Sequence, residues 1–232
     1  MTTIRNILII LTVGMTFQLF GQTTSKDTIF ISKEMIYGEL HSIFIDNNKH
    51  SKFYDRFSYF NSQHLDDEIS YKYSIVYLKE NNLTLTKTKP VIPWTNWVTL
   101  KQYKGNFYVY APCNNLFEFG QSVNDSTFID WTGEGLNANK IIDQRKIDDK
   151  TYEFVLTGIY NKYKKIIIHI IDNEKGIAVF EQTTNGTDKI YYLMIAADKI
   201  KSVPIIVNDC PKEMQPELDF DEIDFKKLMT TK

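Results

Sequence analysis

Residues 152–207 read YEFVLTGIYNKYKKIIIHIIDNEKGIAVFEQTTNGTDKIYYLMIAADKIKSVPIIV, and the spacing of apolar side chains in this stretch decides the fold. Four runs of strand length, Tyr152–Tyr160, Lys165–Ile171, Ile177–Gln182 and Lys189–Ala197, are parted by polar breaks rich in Asn, Asp, Lys and Gly. In the first run Tyr152, Phe154 and Leu156 share one face while Glu153, Val155 and Thr157 share the other, the period of two of a half-buried strand. In the second, Ile166, Ile168 and Ile170 face one way and Ile167, His169 and Ile171 the other, as in a strand covered on both sides. The breaks at Asp172–Gly176 and Asn185-Gly186 place Gly where a short reversal takes positive φ, and neither can hold a crossover helix. Consecutive strands therefore run antiparallel, and the sheet closes as a barrel or folds over as a sandwich to remove its edges.

Working outward, runs at Tyr73–Lys79, Leu83–Lys89, Trp94–Lys101, Phe107–Ala111, Leu116–Gln121, Thr127–Trp131 and Lys140–Lys146 read as further strands, with Glu80-Asn81-Asn82 as a hairpin break. The total is roughly ten strands with no repeated motif, so a propeller or solenoid is disfavoured. The expected fold is mainly β, an antiparallel meander closed as barrel or sandwich, with minor helical segments near both termini. Residues 33–47 fit either a helix capped by Ser32 and carrying Ile36, Leu40, Ile43 and Phe44 or a strand over Leu40–Asp46; Ser51 is placed to cap a helix carrying Phe53, Phe57 and Phe60. From Pro216 onward, acids followed by Lys226 and Lys227 fit either a short helix, with Phe220, Ile223, Leu228 and Met229 against the sheet, or an acidic tail.

Residues 1–21 carry Arg5 as their only charge, then a mainly apolar run from Ile7 to Phe20 and a small residue, Gly21. This is the pattern of a signal peptide, too short and too polar for a transmembrane span of ~20 residues. Its Phe20-Gly21-Gln22 ending resembles the leaders of exported Bacteroidota proteins. The remaining residues, 22–232, are expected to form one β-rich domain, exported to the periplasm or outside the cell. The whole chain has 27 basic and 29 acidic residues, so without Arg5 the balance is 26 − 29 = −3. A near-neutral chain with no basic run speaks against nucleic acid and against a polybasic membrane anchor.

Two cysteines, Cys113 and Cys210, each beside Pro, are expected to pair outside the cytoplasm, closing a loop of roughly 100 residues worth ~4–5 kcal/mol in the chain-entropy model. Four histidines, His41, His50, His64 and His169, show no metal spacing, and no metal or cofactor is expected. His64 beside Asp66, Asp67 and Glu68 fits a solvated loop better than a site, and His169 fits a hydrogen-bonded sheet residue. Gly-x-Ser-x-Gly, a phosphate-binding Gly-rich loop and His-Glu-x-x-His are all absent, which disfavours familiar serine hydrolases, nucleotide enzymes and metalloproteases.

Two candidate sites remain. Trp94, Trp97, Trp131, Tyr108 and Tyr110 cluster in the middle third of the chain, and such faces stack on sugars or line apolar pockets as well as filling cores. Asp130 and Glu134 flank Trp131 in the manner of a paired-carboxylate glycoside hydrolase, although acidic turns after a Trp-ended strand are ordinary. Asn82-Leu83-Thr84, Asn124-Asp125-Ser126 and Asn185-Gly186-Thr187 match the N-glycosylation tripeptide. A barrel of eight or more strands with a C-terminal helix resembles the lipocalin-like architecture in shape; the Gly-x-Trp motif of lipocalin openings is absent, so no ligand or residue is carried over. The leading expectation is a non-catalytic binding or interaction protein of the cell envelope, whose partner is a small molecule, a glycan or an envelope protein. The alternative is a secreted glycan-processing hydrolase using Asp130 and Glu134.

Overall fold

The computed structural model describes residues 27–57, 68–113, 119–186, 189–210 and 217–230. The expected leader, His64, Phe60 and Pro216 lie outside the described residues. Twelve strands are formed among them: β1 (Thr28–Ile36), β2 (Glu39–Asp46), β3 (Asn96–Tyr103), β4 (Asn106–Ala111), β5 (Gly120–Val123), β6 (Thr127–Thr132), β7 (Gly135–Lys146), β8 (Thr151–Gly158), β9 (Lys164–Asp172), β10 (Ile177–Thr184), β11 (Lys189–Ala196) and β12 (Ile205–Asp209). The helices are α1 (Ile69–Glu80) and α2 (Phe225–Thr230).

The meander β8–β11 forms as the period-two pattern dictates, each strand antiparallel to the next. It continues through β7, β6 and β5, and β3 closes the circle by pairing with β11 on one side and β5 on the other. The result is a closed eight-stranded antiparallel barrel, the form that leaves no unpaired edge. The outer half of β3 diverges from the barrel and pairs with β4, extending the sheet through β12 and β2 to β1. Within this flanking sheet β12 runs parallel to β4. Because the two strands lie side by side in the same direction, the chain leaves them at neighbouring points, and Cys113 and Cys210 are joined there as a disulfide with Cα atoms 5.7 Å apart.

Alternation divides the core. One phase of the barrel strands points inward, where Trp97, Phe128, Phe154, Leu156, Ile166, Ile168, Phe180 and Met194 are fully enclosed. The other phase points outward, and on β3, β6, β7, β10 and β11 it is covered by α1, the flanking sheet, a 3-10 turn at Ala197–Ser202 and the C-terminal segment. The less covered outer face of β7–β11 carries ion pairs instead, Arg145 and Lys165 each 2.6 Å from Glu153 and Lys189 2.7 Å from Glu181. Hydrogen bonding to Lys165 holds the Glu153 carboxyl below its ordinary range, with both cations adding charge attraction.

Tyr73–Lys79, expected as a strand, belongs to α1. The stretch satisfies both periods: Tyr71, Tyr73, Ile75 and Tyr77 alternate, but Tyr71, Ser74 and Leu78 also form a helical stripe, and that stripe is the one buried. The Glu80-Asn81-Asn82 break is a helix C-cap. Asn82 takes positive φ (57°), its N–H donates to the Lys79 carbonyl, and the Leu83 N–H donates to the Leu78 carbonyl, the two bonds of a Schellman motif. Residues 83–89 form no ladder; they run irregularly across one end of the barrel. Residues 28–47 settle as the hairpin β1–β2, and the helix expected after Ser51 is a 3-10 turn, Lys52–Phe57, whose Phe53 N–H donates to Ser51 Oγ at 3.3 Å. Among the described C-terminal residues only Phe225–Thr230 is helical, and Ile223, Leu228 and Met229 pack against the barrel while Phe220 packs on the flanking sheet.

Candidate functional site

The barrel interior changes character along its axis. At one end Val123, Ile141, Ile170 and Ala196 point inward, and the segment before β3 seals them with Val91, Ile92 and Trp94. Gln144 pins that segment, accepting from the Val91 N–H at 3.2 Å and donating to Thr88 Oγ1 at 2.8 Å. Toward the other end the same inward phase becomes polar strand by strand: Gln121 precedes Val123, Asp130 follows Phe128, Asn139 precedes Ile141, Lys164 precedes Ile166, Gln182 follows Phe180 and Tyr192 precedes Met194.

These side chains form a connected cluster. The Lys164 ammonium donates to both oxygens of Asp130 at 2.7 Å, with the two side chains 3% and 14% exposed. Gln121 Nε2 donates to Asp130 Oδ1 and Asn139 Nδ2 to Asp130 Oδ2, both at 3.0 Å. A buried charge demands such a shell, since an uncompensated one costs several kcal/mol. Gly158 on β8 belongs to this arrangement because a Cβ there would stand 2.4 Å from Asn139 Oδ1. Above the cluster lies a pocket of about 180 Å³ lined by Asp130, Lys164, Asn137, Asn139, Gln182 and Thr132. Its wall includes two stacked rings, Phe119 and Tyr192, with centroids 4.9 Å apart. Burial raises the Tyr192 phenol above its ordinary value, and the nearby Asp130 charge raises it further. The pocket thus offers fixed donors, acceptors and an aromatic wall in a site with no net charge.

Asp130 lines this pocket; Glu134 stands exposed on the β6–β7 turn and lines a separate, wider depression outside the barrel. The five aromatic candidates are divided among three places. Trp97 is the centre of the barrel core, edge-on to Phe180 at 5.1 Å and to Trp94 at 5.8 Å, which lies over the sealed end. Trp131 points out of the barrel and donates its indole N–H to Ser122 Oγ at 2.8 Å. Tyr108 and Tyr110 lie on the flanking sheet, where the Tyr110 hydroxyl donates to Glu217 Oε2 and accepts from Asn208 Nδ2 at 3.2 Å. The buried His41 Nε2–H donates to Asn208 Oδ1 at 2.7 Å, completing a network that fastens the C-terminal segment. His169, expected to be hydrogen-bonded, has its Nε2 buried without a partner. Asn124 of the glycosylation tripeptide uses its side chain internally, accepting from the N–H groups of Ser126 and Thr127 at 2.9 and 2.7 Å.

Lys164, Asn139, Gln182 and Tyr192 were not singled out by the sequence reading, yet a signal for them exists. Each is a polar residue in the same inward phase as the apolar core of its strand, and all sit toward the same end of the barrel. Among the described residues no group of three or more His, Cys, Asp or Glu could hold a metal ion, and no helix is long and apolar enough to cross a membrane. Compared with protein-family models, with curated proteins and with solved structures, the chain matches none.

Proposed function

We propose that this chain is an exported, non-catalytic binding protein of the cell envelope whose ligand is a small, neutral, polyhydroxylated ring held in the mouth of the barrel. The observation that carries this reading is the Lys164–Asp130 cluster at the end of an otherwise apolar barrel, under a pocket walled by the Phe119–Tyr192 stack. Balanced donors and acceptors suit hydroxyl groups, an aromatic face suits the apolar face of a sugar ring, and about 180 Å³ lies below the ~300 Å³ at which drug-sized sites begin. The competing hydrolase needs Asp130 available to a substrate, whereas Lys164, Gln121 and Asn139 already occupy both of its oxygens.

Export is supported by the leader-like residues 1–21 and the Cys113–Cys210 bridge. Mass spectrometry of natively exported protein, alkylated without reduction, should find no modified thiol; two alkylated cysteines would count against export to an oxidising compartment. The binding reading is tested by a glycan and lipid screen of the folded protein beside the double variant Asp130→Leu/Lys164→Met. A saccharide signal lost in the double variant is the expected result, and lipid binding without saccharide binding would overturn it.

A further inference from the structure

The wide depression that holds Glu134 adjoins the barrel mouth. It measures about 1090 Å³, lies between the first turns of α1 and the β6–β7 turn, and shares Thr132, Asn137 and Tyr160 with the mouth pocket. Packing fixes its floor: Gly135 lacks the Cβ that would stand 2.8 Å from Ser70 Oγ, so α1 settles on the turn and Ser70 Oγ accepts from the Leu136 N–H at 2.8 Å. Two aromatic rings stand in it largely uncovered, Tyr73 from α1 at 66% exposure and Tyr160 from the β8–β9 connection at 71%. Its charged side chains are both carboxylates, Glu68 and Glu134.

Resting on the reading that the mouth binds one sugar ring, we infer that the ligand is an uncharged oligosaccharide whose terminal ring enters the mouth while the following rings lie in this outer groove. The mouth is too small for more than one ring, so a longer chain must leave it, and the shared wall of Thr132, Asn137 and Tyr160 opens into the groove. Exposed tyrosines are the side chains that sugar faces stack on. Glu68 and Glu134 repel uronate or sulfate groups, which excludes acidic glycans from the groove.

The inference is tested by titration calorimetry on the mature protein with glucose and cellotetraose, N-acetylglucosamine and chitotetraose, and tetragalacturonate as the acidic comparator. In one neutral series the tetramer should bind at least about ten-fold more tightly than the monosaccharide. Tyr73→Ala, at an exposed position that lines the groove and not the mouth, should reduce that gain while leaving the monosaccharide affinity unchanged, and Tyr160→Ala, on the shared wall, should weaken the tetramer more than the monosaccharide. A tetramer no tighter than its monomer, a gain that survives both substitutions, or a preference for tetragalacturonate would overturn the groove and leave the mouth standing. Failure of every monosaccharide and tetramer to bind folded protein would overturn both.

Discussion

The two ends of the barrel are built from the same strands in the same phase, and they behave as different materials. At the sealed end the inward side chains are aromatic and aliphatic, with Trp97 and Phe154 fully enclosed. At the mouth, two residues further along β5, β6, β7, β9 and β10, the inward side chains are Gln121, Asp130, Asn139, Lys164 and Gln182. Apolar burial contributes folding free energy roughly in proportion to area, whereas a buried ion pair often contributes nothing beyond what an apolar pair of equal volume would. Closure of the barrel therefore accounts for the sealed end without explaining why polar groups were retained at the other. That contrast is what points to the mouth as the site.

The comparison is broken most directly by truncating each end in turn. Phe154 is fully buried, with its ring 5.3 Å from that of Phe128, so Phe154→Ala should lower stability by about 3–5 kcal/mol in urea unfolding. Gln182→Ala, in the same phase but half-buried at the mouth, should cost under about 1 kcal/mol. Equal losses at the two positions would show that the mouth is simply more core. Next in size is Lys164→Ala, which strands Asp130 inside the barrel with only Gln121 and Asn139 as donors; about 3 kcal/mol is expected. The double variant Asp130→Leu/Lys164→Met should recover that loss or exceed wild-type stability. A double variant as unstable as the single would mean that the ion pair holds the barrel together.

The barrel was legible because its strands announce themselves by alternation: Ile166, Ile168 and Ile170 read as a buried face without any knowledge of their neighbours. The mouth was not, because a polar residue in the inward phase is visible only once the strand boundary is known. Lys164 stood just outside the run taken to begin at Lys165, so it looked like a loop lysine. The helix α1 was missed for a different reason. Its tyrosines fit two periods at once, and the choice between them was made by packing on the β6–β7 turn rather than by local propensity. Aromatics of the same third of the chain, such as Trp97 and Trp131, went to opposite faces of the barrel wall because they fall in opposite phases of β3 and β6.

A smaller effect sharpens the boundary between the two ends. Gly158 is inward on β8 opposite Asn139, and an alanine there would stand 2.4 Å from Asn139 Oδ1. Gly158→Ala should displace the Asn139 amide from Asp130 and cost about 1–3 kcal/mol as overpacking, with weaker ligand binding at the mouth and an undisturbed core. Chemical shifts of Phe128 and Phe180 unchanged beside shifted Asp130 and Tyr192 signals would match this; a disturbance spread through both ends would not.

The least effect is expected from His169, a buried polar group near the sealed end whose Nε2, like Gln121 Oε1 at the mouth, has no hydrogen-bond partner. Lys164 and His169 are five residues apart on β9; the first donates to both oxygens of Asp130, the second has a buried Nε2 with no partner. Burial lowers the His169 pKa from its ordinary 6.5, an effect that Glu181 and Asp148 partly oppose and Lys189 reinforces. Above the ordinary value both folded and unfolded chains carry a neutral imidazole and stability is complete. As pH falls below it the unfolded chain takes up the proton that the folded chain resists, so stability declines. Urea unfolding at pH 7 and at about pH 5.5, on either side of the ordinary imidazole range, should show this decline in the wild type and a smaller one in His169→Leu. Equal declines in the two proteins would assign the pH response to other groups and remove the distinction between the two positions on β9.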